Sequence, residues 1–258
     1  MLFENSIVGP IHSRRLGHSL GVNLLPLKHK RCSYDCVYCE CGWNRDSEEG
    51  EIAFATPQQI EELLETRLKE LQAEGRPVDS FTFAGNGEPT LYPQFPHVVD
   101  AVRRLRDKYY PEAAVTLLTN ATQLKRPEIF EAVRKLDKPI LKLDAGTEQM
   151  WQWINRNDPE TGCTFKELTD NLVRFGKEGI IQTLLFDGKN EGRTISNLIP
   201  SEFNEYVSIL KKIRPKYVML YALDRATPEK ELRKLSVDEL NLYAEIIRKE
   251  NIAVEVYG

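Results

Sequence analysis

Strand-like and helix-like segments alternate six times along this sequence, and no other property narrows the fold so far. The apolar runs "SLGVNLLPL", "SFTFAG", "AAVTLLTN", "PILKLDAG", "GIIQTLLFDG" and "KYVMLYALDR" read as strands one to six. Segments of helical period separate them. Thr56 is an N-cap with Pro57 at the first helical position and Gln59 in the capping-box position. The helix it opens places Ile60, Leu63, Leu64, Leu68 and Leu71 on one face. Phe95, Val98, Val99, Val102 and Leu105 repeat the pattern, and Pro127 opens the next helical stretch. A further helix starts near Ser201, Ser236 with Glu239 caps the last, and "IAVEVYG" reads as a short extra strand. Such alternation implies βαβ units and a parallel sheet. With no Gly/Ser-rich linker or low-complexity tract, the expectation is one α/β domain over residues 1–258. A partial (β/α)6 barrel is the first choice and an open doubly wound sheet the alternative. Either fold collects its ligands at the carboxyl ends of the strands.

The 258 residues suffice for a substantial core, and 41% hydrophobic with 29% charged residues describe an ordinary soluble chain. The opening "MLFENSIVGP" has no basic region followed by an apolar stretch, and no run approaches a membrane span. A cytoplasmic location is therefore expected, where thiols stay reduced. The formal net charge of −4 argues against bulk electrostatic binding to nucleic acid. The charge is uneven, however: His12, Arg14, Arg15, His18, Lys28, His29, Lys30 and Arg31 gather just before the cysteines. Such a stretch reads either as a solvated face or as a contact for an acidic partner.

The stretch "RCSYDCVYCECGW" holds four of the five cysteines, spaced Cys32-x3-Cys36-x2-Cys39 with Cys41 just beyond. A reducing compartment makes a disulfide framework improbable. Structural zinc commonly takes four ligands from two separated pairs, and no second pair exists: Cys163 stands alone, and Cys41 is too near Cys39. A Cys3His site through His29 or His18 has no familiar spacing. A redox pair of Cys36 and Cys39 leaves Cys32 unexplained. Three thiolates around an iron–sulfur cubane, with one iron open to a non-protein ligand, suit the spacing better. A zinc-stabilised nucleic-acid-binding module is the alternative of another class; it would be colourless where a cluster protein is brown.

That spacing, directly after strand one, resembles the radical SAM superfamily. Its members hold a 4Fe–4S cluster by C-x3-C-x2-C with an aromatic residue before the last cysteine, the place of Tyr38. The resemblance implies that Cys32, Cys36 and Cys39 are ligands and that S-adenosylmethionine (SAM) binds the open iron. Reductive cleavage of SAM then yields methionine and a 5′-deoxyadenosyl radical, which takes hydrogen from the substrate. "FAGNGEP", from Phe83 to Pro89, resembles the family's glycine-glycine-glutamate element. There Gly85 and Gly87 would let backbone carbonyls approach the methionine ammonium, and Glu88 would accept a charge-assisted hydrogen bond from it. Asn86 stands where glycine is commonest. Thr119 and Asn120, ending strand three, occupy a place where superfamily members often contact SAM. Tyr221 and Asp224 on strand six are candidates for the adenine and substrate side.

The flanks "GPIHSRRLGHSLGVNLLP", "GNGEPTLYP", "LDAGTEQMWQWINR" and "YALDRATPEK" are similar to the wyosine-type tRNA synthases and their bacterial single-cluster relatives, from about Gly9 to Ser236. The tRNA enzymes carry further cysteines ahead of this loop, for a second cluster; here none precedes Cys32. An acidic chain also suits tRNA poorly, since phosphate contacts supply most such affinity. A small-molecule substrate is expected ahead of tRNA. No flavodoxin-like region lies within the sequence, so a separate flavodoxin or ferredoxin is expected to deliver the electron, docking on the basic Arg14–Arg31 stretch.

Strand four adds two candidates from physics alone. Side chains alternate along a strand, so Leu141, Leu143 and Ala145 face the outer helices while Lys142 and Asp144 point inward. Buried charges are rare unless paired or functional. The plain account is an ion pair to a neighbouring strand. The functional one makes both catalytic, Asp144 on SAM hydroxyls or substrate and Lys142 on an anionic group. Cys41 and Cys163 are expected not to be ligands, His97 to be structural, and Arg156 to be a salt-bridged helix residue.

Overall fold

In the computed structural model, which describes residues 2–46 and 53–258, the expected first strand is the second arm of a hairpin. β1 (Ile7–Ser13) runs antiparallel to β2 (Gly17–Val22), with a register shift between Val8 and Ile11. The motif "GP" at the middle of β1 hid it from a reading by periodicity. Proline cannot donate to a ladder and is confined to edge strands and bulges, and β1 is the edge strand here.

The chain groups into two units, each assembled from three separated stretches, so no linker marks their boundary. The first comprises Met1–Cys32, Asn44–Thr119 and Arg126–Pro139. After the hairpin come α1 (Pro57–Ala73), β3 (Ser80–Phe83), α2 (Phe95–Tyr109), β4 (Ala114–Thr119) and α3 (Pro127–Arg134). Its strands lie in the order β1-β2-β3-β4, parallel from β2 onward. The Thr56/Gln59 capping box forms as expected. Ile60, Leu64, Leu68 and Leu71 are fully buried, but Leu63 is 52% exposed. It flanks the buried stripe and lines an open groove with Pro26, Leu27 and Phe54. The expected apolar face of α2 is buried throughout.

The second unit comprises Ser33–Trp43, Asn120–Lys125 and Ile140–Gly258. The elements from β5 (Lys138–Lys142) onward are α4 (Glu148–Asn155), α5 (Phe165–Phe175), β6 (Ile180–Leu184), β7 (Phe186–Asn190) and β8 (Arg193–Thr194). They continue with α6 (Pro200–Ile213), β9 (Tyr217–Tyr221), β10 (Leu232–Lys234), α7 (Val237–Arg248) and β11 (Val254–Tyr257). β5, β6, β9 and β11 are parallel neighbours in that order, so the closing "IAVEVYG" pairs with strand six. The run read as one fifth strand breaks after Leu184. There Asn197 donates to the Leu184 carbonyl at 2.6 Å and accepts from the Phe186 amide at 3.1 Å. The chain then leaves the parallel sheet, and β7 pairs antiparallel with β8 and β10. On one face of β5 and β6, Leu141, Leu143, Ile181 and Thr183 are buried, and Thr183 bonds the Tyr206 hydroxyl of α6 at 2.6 Å. The other face carries Lys142 and Gln182, paired in register. Among the described residues no helix is long and apolar enough to cross a membrane.

Candidate active site

In the first unit, the residue before Cys32 is stitched to the GNG loop. The Arg31 amide donates to the Asn86 carbonyl at 2.8 Å, and the Glu88 amide donates to the Arg31 carbonyl at 2.9 Å. This short parallel bridge explains Gly87, and the side chain of Asn23 explains Gly85. At Gly87, where φ is +134°, a Cβ would lie 1.9 Å from the Arg31 carbonyl oxygen; at Gly85 it would lie 2.1 Å from the Asn23 side-chain oxygen. The glycines are thus required by the approach of this chain's own groups. Gly87→Ala should lower stability by about 1–3 kcal/mol through backbone strain alone, read as an earlier midpoint in urea unfolding.

Asn86 is wholly buried and its carboxamide braces the loop. It accepts from the Phe3 amide at 2.6 Å and donates to the carbonyls of Pro26 at 2.9 Å and Phe3 at 3.0 Å. Its side chain is therefore spent on the fold, which the sequence did not reveal. Glu88 is 2% exposed. Its Oε1 accepts from the Thr90 amide at 3.0 Å, from the Thr90 hydroxyl, and from the Thr119 hydroxyl at 2.6 Å. Thr119 thus sets the orientation of Glu88.

In the second unit the cysteine loop lies along the end of α4. The amides of Asp35 and Val37 donate to the carbonyls of Asn155 and Ile154, and the Cys39 amide closes a turn onto the Cys36 carbonyl at 3.0 Å. Asn120, the other strand-end candidate, donates to the Ser33 hydroxyl at 2.9 Å, and Ser33 bonds Thr122 at 2.7 Å. Asn120 therefore supports the loop through Ser33.

Asp144 is at the centre of a buried polar cluster. The Tyr38 hydroxyl and the Asn155 amide (2.9 Å) donate to its Oδ2, and the Leu184 amide donates to its Oδ1 at 3.0 Å. Burial, followed by the Asp144 charge, holds the Tyr38 phenol far above its ordinary pKa, so it stays a donor. Lys142 Nζ donates to the Tyr221 hydroxyl at 3.0 Å and lies 3.7 Å from Asp144 Oδ2. The structure thus brings Tyr38, Lys142, Asp144 and Tyr221 together. Asn155 joins them although nothing in the sequence marked it: its Nδ2 also reaches the Tyr38 hydroxyl at 3.3 Å and Cys36 Sγ at 3.4 Å. Its Oδ1 is buried without a hydrogen-bond partner among the described residues.

The other candidates lie apart. Asp224 sits beyond the end of β9, exposed and 3.8 Å from Lys234. Arg156 ends α4 in the left-handed conformation, stacks over Trp43 at 4.9 Å and lies 3.9 Å from Glu191. His97 is exposed on α2. The basic stretch is not one face, because Lys30 is buried and His18 is paired to Asp79 at 2.8 Å.

Among the described residues no three His, Cys, Asp or Glu side chains are disposed as a metal site. The donor chemistry nevertheless fits a thiolate-bound cluster. All five cysteines are free thiols. Burial and then Cys39 push the Cys36 thiol up to about 11, while Lys142 and the Asn155 hydrogen bond favour the thiolate. An N–H aimed at a ligating sulfur is one of the devices by which a protein tunes such a centre.

Residues 28–195 match the radical SAM superfamily, and the chain belongs to that superfamily. It is similar to the UPF0026 protein of Helicobacter pylori (strain J99), 30% identical over 91% of this chain and 71% of that protein. A protein of Brachyspira hyodysenteriae named GTPase Obg is 28% identical over 91% of this chain, which spans 32% of its length. Among solved structures, a radical SAM methyltransferase from Sphaerobacter thermophilus matches with a TM-score of 0.67 at 18% identity, over 93% of this chain and 65% of that one. TYW1 with a lysine-pyruvate adduct bound matches with a TM-score of 0.60 at 16% identity, over 90% and 73%. These likenesses show the α/β fold of the radical SAM enzymes, the partial (β/α)6 class expected from the sequence.

Proposed function

We propose that this chain is a radical SAM enzyme acting on a small molecule. The observation that carries the reading is the treatment of Glu88. A buried carboxylate is oriented by Thr90 and Thr119 on a glycine loop stitched to the residue before Cys32. Cys32, Cys36 and Cys39 would hold a 4Fe–4S cluster, and Glu88 would receive the methionine ammonium. When bound, the cluster supplies the electron that cleaves SAM to methionine and a 5′-deoxyadenosyl radical. The chain's own share is to position the ligands. Thr119 fixes the Glu88 carboxylate, Asn155 ties Cys36 to Asp144, and Asp144 with Tyr38 and Tyr221 offers polar groups for SAM hydroxyls or substrate. A separate flavodoxin or ferredoxin would deliver the electron.

The test is anaerobic purification followed by reduction with dithionite in the presence of SAM. Brown, iron-containing protein that releases 5′-deoxyadenosine supports the reading; colourless protein with stoichiometric zinc would replace it by the nucleic-acid module. The resemblance of the flanking motifs to the wyosine-type tRNA synthases supports a second reading, modification of tRNA, and SAM cleavage stimulated by tRNA would favour it. Glu88→Ala should retain the cluster yet bind SAM at least about tenfold more weakly, since a hydrogen bond to a charged group contributes about 1.5–3 kcal/mol. Unchanged SAM affinity by calorimetry in the folded variant would remove Glu88 from this role.

A further inference from the structure

The sheet face that carries Lys142 also carries an unfilled donor. Gln182, in the middle of β6, is 6% exposed, and its Nε2 has no hydrogen-bond partner among the described residues. Buried amide donors are almost always paired, because leaving one unpaired forfeits its hydration without return. An orphan of this kind points to a ligand. Gln182 is the register partner of Lys142 on β5, so the two side chains project from adjacent positions of one face.

Lys142 has donors to spare as well. Asp144, the acid beside it, is served without it by the Tyr38 hydroxyl, Asn155 Nδ2 and the Leu184 amide. Lys142 Nζ stands 3.7 Å from Asp144, beyond hydrogen-bond reach, and donates to the Tyr221 hydroxyl. An ammonium has three N–H groups; one goes to Tyr221, and beyond that bond Nζ has only the longer Asp144 contact and the faces of the Tyr38 and Tyr221 rings, 5.1 and 5.4 Å from their centroids, among the described residues. The Lys142 side chain is 17% exposed where that of Asp144 is 0%. Burial alone would lower its pKa, but Asp144 and Tyr221 raise it above the ordinary lysine value. Lys142 is therefore a held positive charge.

We infer that Lys142 and Gln182 form a subsite for a carboxylate of the substrate, so that the substrate is a small carboxylic acid. One fixed cation beside one amide donor offers two N–H groups to two oxygens of a monoanion. A dianion such as phosphate suits the place less, because the Asp144 charge lies close by. Glu88 serves the methionine ammonium in the proposed reading, and an unchanged SAM affinity on loss of Gln182 separates a substrate carboxylate from that of SAM. The inference rests on the radical SAM reading for the word substrate, but it is measured independently of it.

The experiment titrates the full chain, cluster-free and reconstituted, with 13C-labelled acetate and succinate, and with acetamide as the neutral control, followed by NMR. Saturable binding of the acids and none of acetamide is expected. Gln182→Met and Lys142→Met should weaken it at least about tenfold, and Gln182→Met should leave SAM affinity unchanged. Because the Gln182 amide has no partner to lose, Gln182→Met should leave the melting temperature unchanged or raised; a structural glutamine would lower it. The inference is overturned by any of four results. These are no saturable binding in the wild type, equal binding in Gln182→Met, a lowered melting temperature in that variant, or a parallel loss of SAM affinity. Absence of a brown cluster or of 5′-deoxyadenosine would instead count against the radical SAM reading, and binding to cluster-free protein keeps the two failures distinct.

Discussion

Replacement of any one of Cys32, Cys36 or Cys39 by alanine is expected to abolish stable iron binding, whereas Cys41→Ala and Cys163→Ala keep it. On the proposed reading each of the three changes would remove a covalent ligand from a centre held by only three protein sulfurs. Cys163 precedes α5 and stands outside the three-sulfur spacing. Cys41 follows the turn that Cys39 closes onto Cys36, outside the three-sulfur spacing. Iron and sulfide content of the anaerobically purified variants checks the assignment. Loss of iron in Cys41→Ala together with its retention in one of the other three would overturn it.

Asp144→Asn should cost about 1–3 kcal/mol of stability, the penalty for leaving buried donors without their acceptor. The carboxylate accepts from Tyr38, Asn155 and the Leu184 amide, and all three are donors. An asparagine keeps one acceptor oxygen and turns a new N–H toward donors already there. It also leaves Lys142 without its counter-charge. The isosteric change is therefore not a silent probe of catalysis, although the strand alternation alone suggests one. Urea unfolding of the variant measures the loss; a midpoint within error of the wild type would show that the hydrogen-bond cluster around Asp144 contributes little.

Short-range signals in the sequence translated directly into structure. The capping boxes Thr56/Gln59 and Ser236/Glu239 form as read, because a cap is decided within one turn of helix. The apolar period of α2 holds at every position, since one wide stripe is buried. Leu63 departs because a residue at the margin of a stripe is buried only if a neighbouring element reaches it, and the sequence of α1 carries no trace of that neighbour. The hairpin arm β1 and the break after Leu184 were hidden for the same reason. Each depends on a partner distant in the chain, an edge position in one case and Asn197 in the other.

The sequence by itself pointed to the superfamily, which the family match bears out. Cysteine spacing and a glycine-glutamate loop are local patterns, legible within a few residues. It also pointed to Lys142 and Asp144 as neighbours; β5 ends at Lys142, so Asp144 lies just past the strand, 3.7 Å from the lysine. Tertiary structure alone decided what those groups do to one another. Folding assigned Asn86 to the brace of its loop, Thr119 to Glu88, and Asn155 to Cys36 and Asp144 together. It also left Gln182 with a buried N–H and no acceptor among the described residues. Hydrogen bonds across tens of residues have no periodicity to betray them; they exist only once packing has excluded water and left each buried polar group to find a partner or a ligand.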